Sequence, residues 1–228
     1  MRYEKVTAGR FLDRPNRFIA HVEVAGRMET VHVKNTGRCR EFLVPGATVY
    51  LADSWGAEGI PNARKTRYDL IAVEKGSRLI NMDSQAPNKA VREWLESGNL
   101  FPAGSVIRPE YTHGDSRFDF AAFTPELALL EVKGVTLERE NRALFPDAPT
   151  LRGAKHVRHL GAFSGKGYIL FVVQMEGIEC FSPNDDTDPA FGKALREART
   201  AGVELLAYDC RVTPDTMTIG KPIEVKLP

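Results

Sequence analysis

The sequence predicts a mixed α+β protein, in which an N-terminal β-barrel precedes a layered α/β unit with a mixed sheet flanked by helices. Between residues 18 and 76, short alternating segments end in glycine, asparagine or serine, which is typical of an antiparallel barrel. Beyond residue 82, helical patterns alternate with nearly continuous apolar segments, which are typical of strands covered on both faces. We therefore divide the chain into residues 1–82 and 83–228.

Four segments of the first unit have strand character: FIAHVEVAG, ETVHVKNTG, ATVYLADS and RYDLIAVEKG. Five or so short, curved strands in about 80 residues indicate a small barrel of the OB type. A plain meander packed on the second unit is the alternative.

The second unit is predicted to contain helices over residues 86–100, 149–164 and 188–202. Its predicted strands lie in VIRPEYT, RFDFAAFT, LALLEVKGV, YILFVVQM and VELLAYDCRV. The resulting order is an antiparallel hairpin followed by helix, strand, helix and strand, which indicates a mixed sheet.

Composition is that of an ordinary globular protein: 228 residues, 43% hydrophobic and 27% charged. Because 31 Lys and Arg nearly cancel 30 Asp and Glu, the net charge indicates no particular partner, and any basic surface must be local. No segment is apolar for long enough to span a bilayer, so we expect a cytoplasmic protein with no membrane partner. Three widely spaced cysteines predict reduced, structural thiols.

The segment RFDFAAFTPELALLEVKG, residues 117–134, places charges inside apolar strands. Strand alternation puts Glu131 and Lys133 on one face. If the hairpin turns through three residues, 124–126, Asp119 lies directly across from Glu131, about 5 Å away. A two-residue turn would instead place the two carboxylates on opposite faces.

Opposed carboxylates in an apolar setting favour a cation between them. Mg²⁺ or Mn²⁺ takes oxygen ligands, so Asp119 and Glu131 are candidate metal ligands, and Lys133 is a candidate catalytic group that orients the attacking water or offsets charge on a phosphate. The structural alternative is a cluster of ion pairs in which Arg117 and Lys133 neutralise the two acids.

Asp119, eleven intervening residues and then Glu131-Val132-Lys133 resemble the PD-(D/E)XK core of restriction-endonuclease-like nucleases, although RFDF lacks the literal Pro-Asp pair. The segments NTGRCREFLVPGATVYL, SRFDF, LEVKGVTL, FPDAPTLRGAKHVRHL and GVELLAYDCRV together resemble the sugar fermentation stimulation protein A (SfsA) family over almost the whole chain. The resemblance implies an OB-like domain joined to a C-terminal nuclease-like domain, and DNA binding.

Glu110 resembles the extra upstream acid that many of these nucleases add to the metal site, and an exposed strand-end glutamate is the alternative. The helix at 149–164 carries a basic stripe beside the acids, and two arginines follow the Asn-Thr-Gly turn of the barrel. The residues expected to contact nucleic acid are Arg38, Arg40, Arg117, Arg152, Lys155, His156 and His159. A zinc site at the two histidines is not supported, because no cysteine or HExxH pattern accompanies them.

The sequence thus predicts a DNA-binding protein with a Mg²⁺-dependent phosphodiesterase site. The alternatives are a non-catalytic DNA-binding regulator that retains the nuclease fold and, third, a purely structural or protein-interaction role. Single-stranded DNA and RNA are alternative nucleic-acid partners, and a homodimer is the expected assembly if the chain self-associates.

Overall fold

A computed structural model describes residues 1–35, 37–55 and 65–228; Thr36, the centre of the predicted Asn-Thr-Gly turn, lies outside the described residues. Six strands build the first unit: β1 (Val6–Asn16), β2 (Ile19–Val24), β3 (Arg27–Val33), β4 (Thr48–Asp53), β5 (Tyr68–Lys75) and β6 (Arg78–Asn81).

The first unit is a closed barrel rather than a plain meander. Its strand order is β3-β2-β1-β4-β5-β6, and β3 also pairs in parallel with β5, at His32–Asp69 and Val33–Leu70, which closes the sheet. The predicted OB-like barrel is thereby confirmed. Strand β1 was missed in the sequence because only Phe11 among its side chains is fully buried, so the strand shows no clear alternation.

The second unit contains three helices: α1 (Ala86–Glu96), α2 (Leu151–Ala162) and α3 (Pro189–Thr200). Its main sheet is formed by β7 (Val106–His113), β8 (Ser116–Phe123), β9 (Leu127–Val135), β12 (Lys166–Val173), β14 (Glu204–Val212) and β15 (Met217–Pro222). A smaller sheet, which the sequence did not predict, contains β10 (Glu138–Arg139), β11 (Arg142–Phe145), β13 (Cys180–Pro183) and β16 (Glu224–Val225).

The main sheet is mixed, as predicted, with the order β15-β14-β12-β9-β8-β7. Strands β9, β12 and β14 are parallel, and the β7–β8–β9 meander and β15 are antiparallel. Buried side chains of α2 and α3 belong to the core on one face of this sheet, and those of α1 to the core on the other face. The central strands are therefore covered on both sides, which explains their continuous apolar sequences.

The helix ends have clear local causes. Thr150 caps α2 by accepting the N–H of Gly153 at 3.0 Å, and Asp188 caps α3 in the same way. Gly98 follows α1 with a φ of 86°, a left-handed conformation that suits glycine. Leu151 is apolar but 92% exposed, at the first position of α2.

The barrel and the second unit share one hydrophobic core, which runs from Phe11 to Phe171. Buried polar contacts reinforce the junction: Gln174 donates from its amide to the carbonyl oxygens of Asn81 and Asp83, at 3.0 and 3.1 Å. Gln174 follows β12 and also donates its backbone N–H to the carbonyl oxygen of Val135 at 2.9 Å, so the ends of β12 and β9 are both bound to the residues at the end of β6.

No helix of the described residues is long and apolar enough to cross a membrane. Cys39, Cys180 and Cys210 are free and buried, and burial raises the pKa of the Cys39 thiol to about 12.

Candidate active site

The β8–β9 hairpin sets the position of both candidate metal ligands. Phe123 pairs with Leu127 and Ala121 with Leu129, so the turn takes three residues, the first of the two alternatives. The regular ladder ends one pair before Asp119. There the carboxylate of Asp119 accepts the backbone N–H of Val132 at 2.8 Å, which takes the place of the next ladder bond.

The alternation of side chains between the two faces of the sheet is interrupted in β8 at Asp119. Phe118 belongs to the core beside α2, whereas Phe120, two residues later, belongs to the core beside α1. Simple alternation, which placed Arg117, Asp119 and Ala121 on one face, is wrong at this point. On the neighbouring strand Glu110 has a φ of 54°, so the irregularity affects both strands.

Glu131 lies on the α2 side of the sheet, in line with Leu129, and its side chain is 5% exposed. Lys133 donates to Glu131 Oε1 at 2.5 Å, and Nδ1 of the buried His156 lies 2.6 Å from the same oxygen. The other oxygen, Oε2, is buried and has no hydrogen-bond partner among the described residues. A buried carboxylate oxygen without a donor is costly, so Oε2 is a natural position for a ligand.

Asp119 is half-buried beside this group. Besides Val132, it accepts a hydrogen bond at 2.7 Å from Asn88, in the first turn of α1. We refer to Asp119, Glu131, Lys133 and His156 as the acid site.

The two carboxylates have opposite pKa shifts. Burial and the nearby negative charge of Glu131 raise the pKa of Asp119, against hydrogen bonds from Val132 and Asn88. Burial also acts to raise the pKa of Glu131, but the hydrogen bond from His156 and the charge of Lys133 outweigh it and lower that pKa. The acid site therefore keeps one carboxylate strongly ionised and the other easier to protonate.

Arg117 and Glu110 lie outside the acid site. They form an ion pair with each other at the surface, with side-chain exposures of 56% and 72%. The ion-pair alternative predicted Arg117 as the partner of the acids, and in this respect it is wrong; Lys133 does pair with Glu131, as it required. Glu110 makes no described contact with Asp119 or Glu131, so its proposed role as a further ligand gains no support from the geometry.

Helix α2 divides its basic residues between two sides. Arg152, Lys155 and the unpredicted Arg158 are exposed, and Lys155 pairs with Asp115 at 2.8 Å. His156, grouped with the phosphate-binding residues in the sequence, instead points inward to Glu131. Its spacing from the buried Gly153 and Leu160, three and four residues away, is the signal that could have identified it as an inward-facing residue.

His159 is half-buried and lies apart from His156. Its Nδ1 is 2.9 Å from Ser116 Oγ, and its Nε2 is 3.1 Å from Nδ1 of His113. The two histidines of α2 therefore have different partners.

Arg38 and Arg40 are exposed and line one cavity of the barrel. They lie in the loop between β3 and β4 rather than in a strand, with the buried Cys39 between them at a φ of 52°.

Among residues 1–35, 37–55 and 65–228, no three His, Cys, Asp or Glu side chains are grouped so as to hold a metal ion by themselves. Asp119 and Glu131 are a two-carboxylate set. Such a set suits Mg²⁺, which keeps several waters and uses one or two protein carboxylates together with substrate phosphates.

Comparison with known proteins places this architecture in a family. A model described as "SfsA N-terminal OB domain" matches residues 12–82, and one described as "Sugar fermentation stimulation protein RE domain" matches residues 85–216. The chain belongs to the SfsA family. The predicted family is therefore confirmed.

Relatives of the SfsA family match from end to end. A sugar fermentation stimulation protein homolog of Desulfitobacterium hafniense is 52% identical over 231 positions, covering 100% of this chain and 99% of the relative. A homolog of Ruminiclostridium cellulolyticum is 50% identical, with 100% of both chains covered. The solved structure of Pyrococcus furiosus SfsA in complex with Ca²⁺ is similar with a TM-score of 0.87 and 27% identity, covering 99% of this chain and 98% of that one.

Proposed function

We propose that this protein binds nucleic acid and hydrolyses phosphodiester bonds at the acid site with the help of Mg²⁺ or Mn²⁺. The observation that carries the proposal is the buried, unpartnered Oε2 of Glu131 next to a second carboxylate, Asp119. Both would hold the cation through oxygen, the donor that hard cations prefer. The similar Pyrococcus protein, solved in complex with Ca²⁺, supports a site for a cation of this class.

When bound, the cation would polarise the phosphate and lower the pKa of a coordinated water. His156 holds Glu131 by its Oε1, and Oε2 has no donor among the described residues and so is left for the ligand. Lys133 keeps a positive charge at the same carboxylate, where it stabilises the negative charge that develops on the phosphate during hydrolysis. Arg152 and Arg158 on the exposed side of α2 offer contacts for neighbouring phosphates.

A second function has its own support. Lys133 and His156 already bind Glu131 at Oε1, and such an arrangement also suits a non-catalytic DNA-binding regulator in which these contacts are purely structural. The third alternative, a structural role without nucleic acid, does not explain the exposed arginines of the barrel and of α2.

The deciding experiment combines cleavage with stability. Purified protein is incubated with single- and double-stranded DNA and RNA in Mg²⁺, in Mn²⁺ and in a chelator, and its melting temperature is measured under the same conditions. We expect cleavage only with a divalent cation, together with stabilisation of ~2.7 kcal/mol when the cation is at a hundred times its Kd. Stabilisation without cleavage would favour the regulator, and the absence of both would contradict the metal site.

A further inference from the structure

A cavity of about 460 Å³ beside the barrel has four arginines among the residues that line it. We call it the arginine cavity; its charged lining residues are Asp13, Arg14, Arg17, Arg38 and Arg40. The carboxylate of Asp13 is already bound to Nδ1 of His21 at 2.8 Å. In a chain with a net charge of +1, four arginines around one cavity are a local concentration of positive charge that favours an anionic ligand.

Arg14 fixes the shape of the arginine cavity. Its guanidinium donates to four backbone carbonyl oxygens, those of Arg17, Asn35, Gly37 and Arg38, at 2.7 to 3.0 Å. The loop between β3 and β4 is thus tied to the end of β1, so that the other arginines are held in place before a ligand binds. Pre-organised donors lose little entropy on binding.

Arg17 and Phe18 form a stacking surface at the edge of the arginine cavity. The guanidinium carbon of Arg17 lies 4.9 Å from the centre of the Phe18 ring, which is 47% exposed. An exposed ring beside a guanidinium is the combination on which unpaired nucleobases stack. Base pairs inside a duplex do not present their faces, so this surface favours a single strand over a duplex.

The remaining two arginines are available for phosphates. Arg38 and Arg40 are exposed, and in the part of the chain that the structure describes neither forms an ion pair. Arginine offers several donors in a planar fork that matches phosphate oxygens.

The arginine cavity leads towards the acid site. Gly37 lines it and also lines a second cavity of about 170 Å³, whose wall includes Gly134, the residue after Lys133. A side chain at position 37 would collide with Asp147, in the loop that leads to α2. The turn around Gly37 therefore lies between the arginine cavity and the elements that carry the acid site.

We propose that the arginine cavity binds a single-stranded segment of nucleic acid, with a base stacked on Phe18 and Arg17 and phosphates held by Arg38 and Arg40. The strand then continues over Gly37 to the acid site. This inference deepens the proposed function by naming the substrate class. Its first part, binding of a single strand, is independent of whether the acid site cleaves.

The test is equilibrium binding in a chelator, so that cleavage plays no part. Fluorescence anisotropy is measured with a labelled oligo-thymidylate and with a blunt DNA duplex of equal length. Phe18→Leu should weaken binding of the oligo-thymidylate roughly 5- to 150-fold, the range of one lost stack, and should remove the preference over the duplex. The double variant R38A/R40A should reduce the salt slope by about 0.7 for each lost phosphate contact.

Arg27→Ala is the matched control, because Arg27 is an exposed arginine of the same barrel at the opposite end of β2 from the arginine cavity. All variants concern exposed side chains, and a thermal melt checks that each one folds. If Phe18→Leu binds as tightly as Arg27→Ala, or if wild type binds duplex as tightly as single strand, the proposal is overturned. Competition by inorganic tripolyphosphate as strong as that by oligo-thymidylate would equally contradict it, because it would indicate a plain anion site. The failure of cleavage alone would affect only the proposed function.

Discussion

The acid site and the arginine cavity differ in how they hold charge. In the acid site, Glu131 is buried with Lys133 Nζ and His156 Nδ1 at 2.5 and 2.6 Å from one oxygen, and its second oxygen has no partner among the described residues. In the arginine cavity, Arg17, Arg38 and Arg40 carry exposed charges, and the half-buried Arg14 only fixes the backbone.

This difference indicates that the acid site serves the chemical step and the arginine cavity serves binding. Buried charges in fixed positions stabilise a transition state without reorganisation, whereas exposed charges act on a polyanion through many weak, salt-sensitive contacts. Substitutions in the acid site should therefore change rates, metal binding and stability. Substitutions in the arginine cavity should change affinity and its dependence on salt.

The largest expected effect is on cleavage. Glu131→Gln keeps the size of the side chain but removes the charge that a hard cation requires, so metal-dependent cleavage should fall roughly a thousandfold or more, which corresponds to several kcal/mol of lost charge stabilisation. Affinity for oligo-thymidylate in a chelator should not fall, because a negative charge near the phosphates is removed. Single-turnover rates and anisotropy measure the two quantities. Equal losses in both would contradict the separation of the two regions.

The next effect is the pH dependence of metal binding. The cation needs ionised Asp119, whose pKa lies above its ordinary 3.8, so protons compete with the metal at a higher pH than for an ordinary aspartate. Below that raised pKa, the apparent affinity should fall up to about tenfold per pH unit. The increase in melting temperature caused by Mn²⁺, measured over a pH series, should shrink accordingly.

Melting temperatures without metal are the control, and there the two acids act in opposite directions. Asp119, with its raised pKa, contributes stability at low pH that is lost as the pH rises through the raised value. Glu131, with its lowered pKa, contributes stability above its ordinary 4.5 that is lost as the pH falls through the lowered value. A Mn²⁺ effect that is constant across this range would mean that Asp119 is not a ligand.

A smaller effect concerns the residue that holds Glu131. His156→Ala removes one donor from a buried carboxylate, and we expect a loss of ~1–3 kcal/mol in the free energy of unfolding. The pKa of Glu131 should rise, because a hydrogen bond that lowers it is lost. Urea unfolding at neutral and acid pH measures both effects. Lys155→Ala, in the same helix but exposed, is the control and should change stability little.

The sequence predicted the hairpin well because its information is local. The two apolar segments define the strands and leave two turn lengths open; the structure has the three-residue turn, and that register places Asp119 and Glu131 at the same end of the ladder. The barrel was also predictable, since four of its strands alternate. The charges in strands that otherwise belong to the core were sufficient to identify the candidate site.

The parts that could not be predicted depend on contacts between distant segments. The interrupted alternation at Asp119 involves Glu110 on the neighbouring strand, and no local sequence pattern indicates it. Helical spacing could show that His156 faces inward, but not that its partner is the carboxylate of Glu131, 25 residues earlier in the chain. The smaller sheet consists of strands of two to four residues, which are too short to show periodicity.

The smallest expected effect tests whether Glu110 belongs to the acid site. Glu110→Gln removes a carboxylate that the structure places in an exposed ion pair with Arg117, and such pairs contribute little to stability. The melting temperature should change by less than about 2 °C, and the Mn²⁺ concentration at half-maximal stabilisation should stay the same. Arg117→Gln, which removes the other half of the pair, is the matched control. If Glu110→Gln alone raised the required Mn²⁺ concentration, Glu110 would have to move from Arg117 to the metal when the ion binds, and the acid site would include a third carboxylate.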